Sequence, residues 1–286
     1  MDIRDAFFNQ LYEIAKSNPN VIVLTADMGV NEFARFRELR GQFYNVGISE
    51  QNMVNMAQGL ALQGKKVYVY TIAVFLQRAF EQIKLACQMN LPITFIGGCV
   101  GLSNSTDGFT HYCINDITCM RTLPNLTILN PSYDYFAQLS AKQSYESKTP
   151  LYVRLDKGNF RAERSNVSGF GADLIIIATG NMVDNALQVA KELKQILDIG
   201  VWDLFQLQPL NLPFIEDILK ETKRIITLEE HLNCGLGSII SEFLTDNNLH
   251  IPLKRLGVSK TSPIGSREYM QKLNGLDVEG IKNAIR

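Results

Sequence analysis

The sequence lacks an excess of positive charge, a long apolar run and paired cysteines, and each shortage excludes a class of protein. Lys and Arg number 28 against 29 Asp and Glu, which gives a net charge of -1. A chain with balanced charge has no overall attraction for nucleic acid or an anionic membrane. The longest apolar stretch, residues 91–102, is too short and too rich in glycine to span a bilayer. We therefore expect a protein that binds neither nucleic acid nor a membrane.

The five cysteines are odd in number and form no Cys-x-x-Cys pair, which argues against a disulfide framework or a zinc site. The first residues, Met-Asp-Ile-Arg-Asp-Ala, lack the basic-then-apolar order of a signal peptide. Hydrophobic residues make up 46% and charged residues 20% of the chain, a balance typical of globular proteins. We expect a soluble, cytoplasmic protein, and 286 residues are enough for two domains.

Short apolar runs alternate with segments of helical periodicity along most of the chain, which predicts an α/β fold with mostly parallel sheets. A polar stretch over residues 157–171 resembles a linker, and the alternation restarts after it. The sequence therefore predicts two doubly wound domains, over residues 1–163 and 170–286. The predicted strands cover residues 21–24, 66–70, 92–96, 126–129, 151–155, 174–178, 199–202 and 224–228. The predicted helices cover residues 3–15, 50–63, 75–89, 132–143, 184–193, 212–221 and 238–244.

Ligands of open α/β sheets bind beyond the carboxyl ends of the strands, and one such segment reads Asn-Val-Gly-Ile-Ser-Glu-Gln-Asn-Met over residues 45–53. Taken alone, a glutamate at a helix start is a favourable N-terminal charge. The whole string resembles the "GI(A/S)EQ…GLA" segment of the thiamine diphosphate enzymes of the transketolase family. The resemblance implies that Glu50 bonds N1′ of the cofactor's aminopyrimidine ring, and that Ile48 contacts the cofactor.

This chemistry requires a carboxyl group at that place. The base that removes the C2 proton of the thiazolium ring is the cofactor's own 4′-imino group. A carboxylic acid that shares its proton with N1′ favours this imino tautomer, provided that it is shielded from water. Glu50 is therefore the predicted activator of the cofactor.

The segment Phe-Leu-Gln-Arg-Ala over residues 75–79 would on its own be ordinary core material. It resembles the corresponding helix of deoxyxylulose-phosphate synthases, which are relatives of the transketolases. The resemblance implies that Phe75 and Arg78 flank the aminopyrimidine ring, since aromatic and guanidinium faces both suit a flat heteroaromatic ring.

The string Asp-Gly-Phe-Thr-His over residues 107–111 follows a predicted buried strand and contains one of only three histidines. It is similar to the "DGPTH" signature of transketolases. By that resemblance His111 contacts donor hydroxyl groups and transfers protons, and Asp107 contacts substrate hydroxyls. Neutral imidazole both donates and accepts a proton near pH 7, as a reversible aldol-like step requires.

Two further segments resemble the family. Residues 25–29, Thr-Ala-Asp-Met-Gly, are similar to its "ADL" loop, which puts Asp27 near the cofactor or a subunit interface, although a strand-to-helix cap explains this residue equally well. Residues 227–238 and 265–267 are similar to the transketolase C-terminal domain, which supports assembly in that family. Gly235 and Gly237 lack the third glycine of a dinucleotide-binding motif, and we interpret them as a tight helix start.

About half of a full-length transketolase is missing. The absent half is the pyrophosphate-binding domain, whose Gly-Asp-Gly motif and a later asparagine hold Mg²⁺ and the diphosphate, and no Gly-Asp-Gly occurs here. We therefore expect no metal-binding residues in this chain, with thiamine diphosphate and Mg²⁺ shared with a separate N-terminal subunit in an α2β2 assembly. This subunit would carry the pyrophosphate-binding domain.

The sequence departs from the family at the expected substrate phosphate site. Residues 97–106 contain no basic residue, and Lys157 occupies the position of an arginine that deoxyxylulose-phosphate synthases carry. Lysine is a point charge and does not reproduce a bidentate guanidinium. We expect Lys157 to join Asp107 and His111 in binding a small-molecule sugar. Phosphate contacts from Arg35, Arg37 or the partner are an alternative to an unusual acceptor.

The leading interpretation is a subunit that transfers a two-carbon ketol unit from a ketose donor to an aldose acceptor. Three alternatives stay open. The chain resembles deoxyxylulose-phosphate synthase, which is normally one polypeptide with three domains. The β subunit of a 2-oxoacid dehydrogenase has the same two domains, but the Asp-Gly-x-Thr-His segment argues against it. A non-catalytic scaffolding subunit would not need Glu50 and His111.

Overall fold

The computed structural model describes residues 1–29, 33–158, 167–168, 173–210, 219 and 221–286. The described strands are β1 Val21–Thr25, β2 Phe43–Asn45, β3 Lys66–Ile72, β4 Ile93–Gly98, β5 Thr127–Leu129, β6 Leu151–Leu155, β7 Val167–Ser168, β8 Leu174–Ala178, β9 Ile199–Asp203, β10 Gln206–Gln208, β11 Ile225–Leu232 and β12 Leu253–Val258. The described helices are α1 Ile3–Ser17, α2 Glu50–Leu62, α3 Ala73–Leu76, α4 Phe80–Gln88, α5 Asp116–Met120, α6 Asp134–Glu146, α7 Met182–Leu193, α8 Leu236–Asp246, α9 Arg267–Leu273 and α10 Val278–Ile285.

The strands form two sheets. A seven-stranded sheet has the order β10-β5-β6-β4-β3-β1-β2, and its strands are parallel except for β10. A five-stranded sheet has the order β12-β11-β8-β9-β7 and is parallel except for β7. The central strands of both sheets are buried along their whole length, as is typical of parallel sheets covered by helices on both faces. The predicted fold class is therefore confirmed.

The structure departs from the sequence prediction in two places, and a third prediction lies largely outside the described residues. The helix predicted over residues 75–89 is divided into α3 and α4 by a 3₁₀ turn at Gln77–Ala79, where the Gln51 side chain donates to the Arg78 carbonyl at 3.1 Å. Within the predicted linker, residues 167–168 pair with β9 as strand β7, and residues 159–166 and 169–171 lie outside the described residues. The helix predicted over 212–221 also lies outside the described residues, apart from positions 219 and 221, which are helical.

Several elements were not predicted from the sequence. Strand β10 follows the proposed domain boundary yet pairs with β5 in the first sheet, so the two halves of the chain share that sheet. Strand β2 was also missed, because its three residues are too few for a pattern and only partly buried. Helices α5, α9 and α10 and strand β12 were missed as well, each of them eight residues or shorter.

The second half of the chain packs against a buried ion pair of the first half. Arg154 of β6 donates to both carboxylate oxygens of Asp116, which is fully buried, and Tyr152 donates to the same carboxylate at 2.7 Å. His231 of β11 lies against this pair, with Nε2 3.8 Å from Asp116 Oδ1. Burial alone would raise the pKa of Asp116, but the charge of Arg154 and the hydrogen bonds from Arg154 and Tyr152 act together against burial and hold the pKa below its ordinary value. Burial lowers the pKa of His231 to about 4.

Candidate active site

Glu50 is the first residue of α2, and its carboxyl group is buried with only 5% of the residue exposed. The chain enters α2 through Ser49, whose hydroxyl donates to the Val46 carbonyl at 3.0 Å and fixes the turn before the helix. Oε1 of Glu50 accepts a hydrogen bond from Nη1 of Arg78 at 3.0 Å. A buried carboxylate therefore stands at the carboxyl-end side of the first sheet with one cationic partner.

Arg78 connects this carboxylate to an aromatic ring. Its Cζ lies 4.6 Å from the centroid of the Phe75 ring, a cation–π distance. Phe75 in turn meets the imidazole of His111 edge to face, with centroids 5.4 Å apart and an interplanar angle of 72°. Glu50, Arg78, Phe75 and His111 thus form one continuous chain of contacts, although they come from three separate segments of the sequence.

The packing of Arg78 on Phe75 differs from the expected arrangement. A planar ring inserted between two flat groups requires about 7 Å between them, twice an ordinary carbon–carbon contact. The observed 4.6 Å leaves no such gap. In the structure Arg78 lies directly on Phe75 with its guanidinium bonded to Glu50, and the flanking of an aminopyrimidine ring by these two side chains stays a prediction.

His111 is held by the turn that contains it. Gly108 has a φ of 81°, a left-handed conformation that favours glycine, and its carbonyl accepts from the His111 amide at 3.0 Å. The Thr110 hydroxyl is 2.8 Å from Nδ1 of the imidazole. Asp107 ends the 3₁₀ turn Ser105–Asp107 and is exposed on the same loop. The loop thus presents Asp107 and His111 together.

Asp27 belongs to a neighbouring loop and is held by Asn45. The side-chain carbonyl oxygen of Asn45 accepts from the backbone N–H groups of both Asp27 and Gly47, and its amide nitrogen donates to the Asp27 carboxylate at 3.2 Å. Asp27 has a φ of 53°, which is uncommon for a residue other than glycine. Ile48, between Gly47 and Glu50, is 77% exposed. Asn45 therefore ties the Asp27 loop to the segment that leads into Glu50.

The basic residues considered for the substrate make contacts of their own. Lys157 follows β6 and is exposed, and its backbone N–H donates to the Asp156 carboxylate at 2.6 Å. Arg35 packs over Tyr12 at 3.8 Å and pairs with Glu13, so α1 engages its guanidinium. Because Arg35 is already held on the surface of α1, the structure gives no support to its use as a phosphate ligand.

Three residues that the sequence did not identify position the site. Gln51 holds the carbonyl of Arg78, and Gln77 donates to the Asn115 side chain at 2.7 Å. The second bond joins the 3₁₀ turn that contains Arg78 to the segment that follows His111. The only sequence signal for Gln51 was its place beside Glu50 in the quoted motif, whereas Gln77 and Asn115 are 38 residues apart and no pattern links them.

Among the described residues, no group of three or more His, Cys, Asp or Glu side chains could hold a metal ion. None of the helices in the described ranges is both long and apolar enough to cross a membrane.

Comparison with known families assigns both halves of the chain. Residues 1–163 match the transketolase pyrimidine-binding domain, and residues 164–281 match the transketolase C-terminal domain. The chain therefore belongs to the transketolase family, as the sequence motifs had indicated.

The similar proteins include two of nearly the same length. A protein described as a transketolase C-terminal section from Methanocaldococcus jannaschii is 30% identical, over 99% of this chain and 95% of its own length. One subunit of the apulose-4-phosphate transketolase of Phocaeicola vulgatus is 32% identical, over 97% of this chain and 94% of its own length. Among solved structures, a split-gene transketolase described as an inactive β4 tetramer has a TM-score of 0.87 and 29% identity, with 100% of this chain and 97% of that chain covered.

Other relatives are longer. The 1-deoxy-D-xylulose-5-phosphate synthase of Clostridium tetani is 31% identical over 98% of this chain, but the chain spans only 48% of its length. The chain thus spans about half of the synthases that it matches and nearly all of the separately encoded transketolase sections.

Proposed function

We propose that this chain is the C-terminal subunit of a thiamine diphosphate-dependent transketolase and works with a separate subunit that carries the pyrophosphate-binding domain. The observation that carries the proposal is the buried carboxylate of Glu50 in continuous contact with Arg78, Phe75 and His111. The family assignment supports it, because the pyrimidine-binding and C-terminal domains are both present.

The residues present fit one end of the cofactor. A flat aminopyrimidine requires an aromatic face and, at its edge, a carboxyl group shielded from water. Phe75 offers the face and Glu50 offers the shielded carboxyl. We assign Phe75 to the ring, and we assign Arg78 to Glu50 rather than to the second face of the ring. Asp27 and Ile48 remain proposed cofactor contacts on the adjoining loop.

When bound, thiamine diphosphate supplies a nucleophilic carbon for attack on the donor ketose. Glu50 would share a proton with N1′ of the aminopyrimidine and thereby favour the tautomer that acts as a base. Arg78 would hold the Glu50 carboxylate in place. Thr110 engages Nδ1 of His111, which leaves Nε2 of that ring for proton exchange with substrate hydroxyls. Asp107 and Lys157 would bind hydroxyl groups of the sugar.

The descriptions of two relatives, a transketolase C-terminal section and one subunit of a transketolase, support a partner subunit. A diphosphate requires Mg²⁺ with oxygen ligands, and the described part of this chain has no group that could hold a metal ion. We therefore assign Mg²⁺ and the diphosphate to the partner, in a proposed α2β2 assembly. The split-gene relative, an inactive tetramer of β chains, supports this division.

Two of the similar proteins support the split transketolase as the leading candidate. This chain covers 94% and 95% of the two separately encoded transketolase sections and 48% of the deoxyxylulose-phosphate synthase.

The described substrate loop 97–106 has no basic side chain, so we propose an acceptor whose phosphate, where one is present, is bound by the partner.

The proposal is tested by co-expressing the chain with a pyrophosphate-domain subunit encoded in the same genome. We expect the purified pair to transfer a two-carbon unit between ketose donors and aldose acceptors only with thiamine diphosphate and Mg²⁺, and the chain alone to be inactive. Decarboxylation of 2-oxoacids without ketol transfer would instead identify a 2-oxoacid dehydrogenase subunit. A pair that assembles without either activity would identify a scaffold.

A further inference from the structure

The loop that carries Asp107 and His111 is built partly from the second half of the chain. Leu102 and Tyr112, at the two ends of this loop, are buried in the same hydrophobic cluster as β8, α7 and α9. Next to Tyr112, the Cys113 amide donates to the Gly101 carbonyl at 2.9 Å and closes the loop at its base. The loop therefore leaves the first sheet at β4 but packs as part of the second domain's core.

One carboxylate of the second sheet binds the start of this loop. Glu230 of β11 is buried, and its Oε2 accepts from the backbone N–H of Leu102 at 2.9 Å. Gly101, just before it, has a φ of 60°, and a methyl group added there would overlap Oε2 of Glu230. The loop can follow its path only because position 101 lacks a side chain and Glu230 fills the space.

Other donors fix Glu230 itself. Arg267 donates through Nε and Nη2 at 2.9 and 2.7 Å, Gln271 donates at 2.8 Å, and Asn181 donates at 3.2 Å. Arg267 also pairs with Asp156, the residue before Lys157 at the end of β6. With five donors in place, the carboxylate has no remaining acceptor position for a ligand. Its function is therefore to hold other parts of the chain.

A second bond from the same domain anchors the middle of the loop. The Ser105 hydroxyl donates to the Gly265 carbonyl at 2.8 Å, and the Gly265 amide donates back to the Ser105 carbonyl at 3.3 Å. Ser105 opens the 3₁₀ turn that ends at Asp107. The loop is thus held at Leu102 and Ser105 by residues 128 and 160 positions away in the sequence.

We propose that Glu230 is a positioning residue for the reaction: it sets, through the Leu102 amide, the placement of the loop that presents Asp107 and His111. The inference rests on the proposed function. The inference extends that function, because it gives the second domain a part in positioning the site in addition to its expected part in assembly. Glu230→Gln would keep the side-chain shape, but the amide group would either oppose the Leu102 N–H or lose its bonds to Arg267.

The first arm of the test needs no activity. Hydrogen–deuterium exchange of peptides covering residues 101–113 is compared between the unmodified chain and Glu230→Gln. The matched control is Glu229→Gln, because the neighbouring buried Glu229 accepts from the Leu236 and Gly237 amides of α8. We expect about tenfold faster exchange in the loop of Glu230→Gln, with β3 and β4 unchanged, and no change in the loop of Glu229→Gln.

The second arm uses the reconstituted two-subunit complex. We expect Glu230→Gln to lower kcat for ketol transfer by about 10- to 100-fold, because misplacement of catalytic groups by about 1 Å costs that much, while KM for thiamine diphosphate stays within about twofold. Ser105→Ala, a milder change at the second anchor, should lower kcat in the same direction. If the Glu230→Gln chain fails to fold, Ser105→Ala is used in both the exchange measurement and the kinetic measurement.

The outcomes separate this inference from the proposed function. Unchanged loop exchange and unchanged kcat in Glu230→Gln and Ser105→Ala, in a complex that Glu50→Gln inactivates, would overturn the inference alone. An unmodified complex without ketol transfer would overturn the proposed function, and the exchange arm would still decide whether Glu230 holds the loop.

Discussion

The Arg78 guanidinium donates a 3.0 Å hydrogen bond to the buried Glu50 carboxylate. Arg78 is itself 55% exposed, so the pair joins a residue in contact with solvent to one that is shielded from it. Since Arg78 also lies on Phe75, a single side chain determines the relative placement of the carboxylate and the aromatic ring. This geometry supports the proposed roles of Glu50 as the activator of the cofactor and of Arg78 as the residue that holds the Glu50 carboxylate.

Replacement of Arg78 should affect the cofactor more than the fold. We expect Arg78→Met to raise the KM for thiamine diphosphate of the two-subunit complex by about five- to tenfold, because Glu50 loses a charged donor. Because Arg78 is 55% exposed, its pair with Glu50 is only partly shielded, and urea unfolding should change less than after loss of the fully buried Asp116–Arg154 pair. Arg78→Lys keeps the charge but not the planar face, so its KM should lie between those of the unmodified complex and Arg78→Met. Equal KM values for all three proteins would contradict the assigned role.

Replacement of His111 should affect turnover. We expect His111→Asn to lower kcat for ketol transfer by about 10²–10⁴-fold, the range for loss of a positioned acid–base group. His250→Asn is the control, because His250 is an exposed histidine at the start of the segment leading into β12. If steady-state assays of the complex gave the same kcat for both variants, His111 would have no part in proton transfer.

Loss of the Asp116 charge should destabilise the chain. Asp116→Asn removes the charge partner of Arg154, which is buried beside it. Breaking a buried pair from one side costs about 3–5 kcal/mol because the remaining charge is unpaired. Urea denaturation measures this loss. Asp173→Asn, which removes the partner of Lys223 at an exposed site, should unfold at nearly the same urea concentration as the unmodified chain. A small effect at Asp116 would contradict a stabilising role for this buried pair.

Asp203 should make the stability of the chain depend on pH. Burial raises its pKa to about 7, with Ser132 donating to the carboxylate and opposing the shift. The unfolded chain releases this proton near pH 4, so the folded state binds more protons between about pH 4 and 7. This contribution to stability is complete below pH 4 and is lost as the pH rises to 7. The total is about 4 kcal/mol for a shift of this size.

Urea unfolding at pH 5, 6, 7 and 8 compares the unmodified chain with Asp203→Asn, which cannot titrate. The unfolding free energy of Asp203→Asn, relative to that of the unmodified chain, should increase as the pH rises. The buried His231, whose pKa is lowered to about 4, acts in the opposite direction between pH 4 and 6.5, but it is present in both proteins and cancels in the difference. A difference that does not vary with pH would contradict the assignment to Asp203.

Much of the site could be predicted because its residues lie in motifs that resemble a known family and follow strands of one parallel sheet. Glu50, Phe75 and His111 lie in short motifs, and parallel strands bring their carboxyl ends to one edge. The placement of Arg78 could not be predicted, because its position depends on a pairing across 28 residues. The Glu230–Leu102 bond spans 128 residues and arises only when the two halves pack together. The pairing of β10 with the first sheet could not be predicted either, because it also depends on the packing of the two halves and its three residues have no distinctive pattern.

Glu50→Gln in the reconstituted complex tests the central claim most directly. The exchange keeps the size of the side chain and removes the proton that the cofactor would share, and Glu81→Gln, at an exposed position in the first turn of α4, is the control. Thiamine diphosphate-dependent ketol transfer is measured for complexes shown by analytical ultracentrifugation to be fully assembled. We predict a loss of at least about 100-fold for Glu50→Gln and none for Glu81→Gln. Full activity of the assembled Glu50→Gln complex would contradict the account.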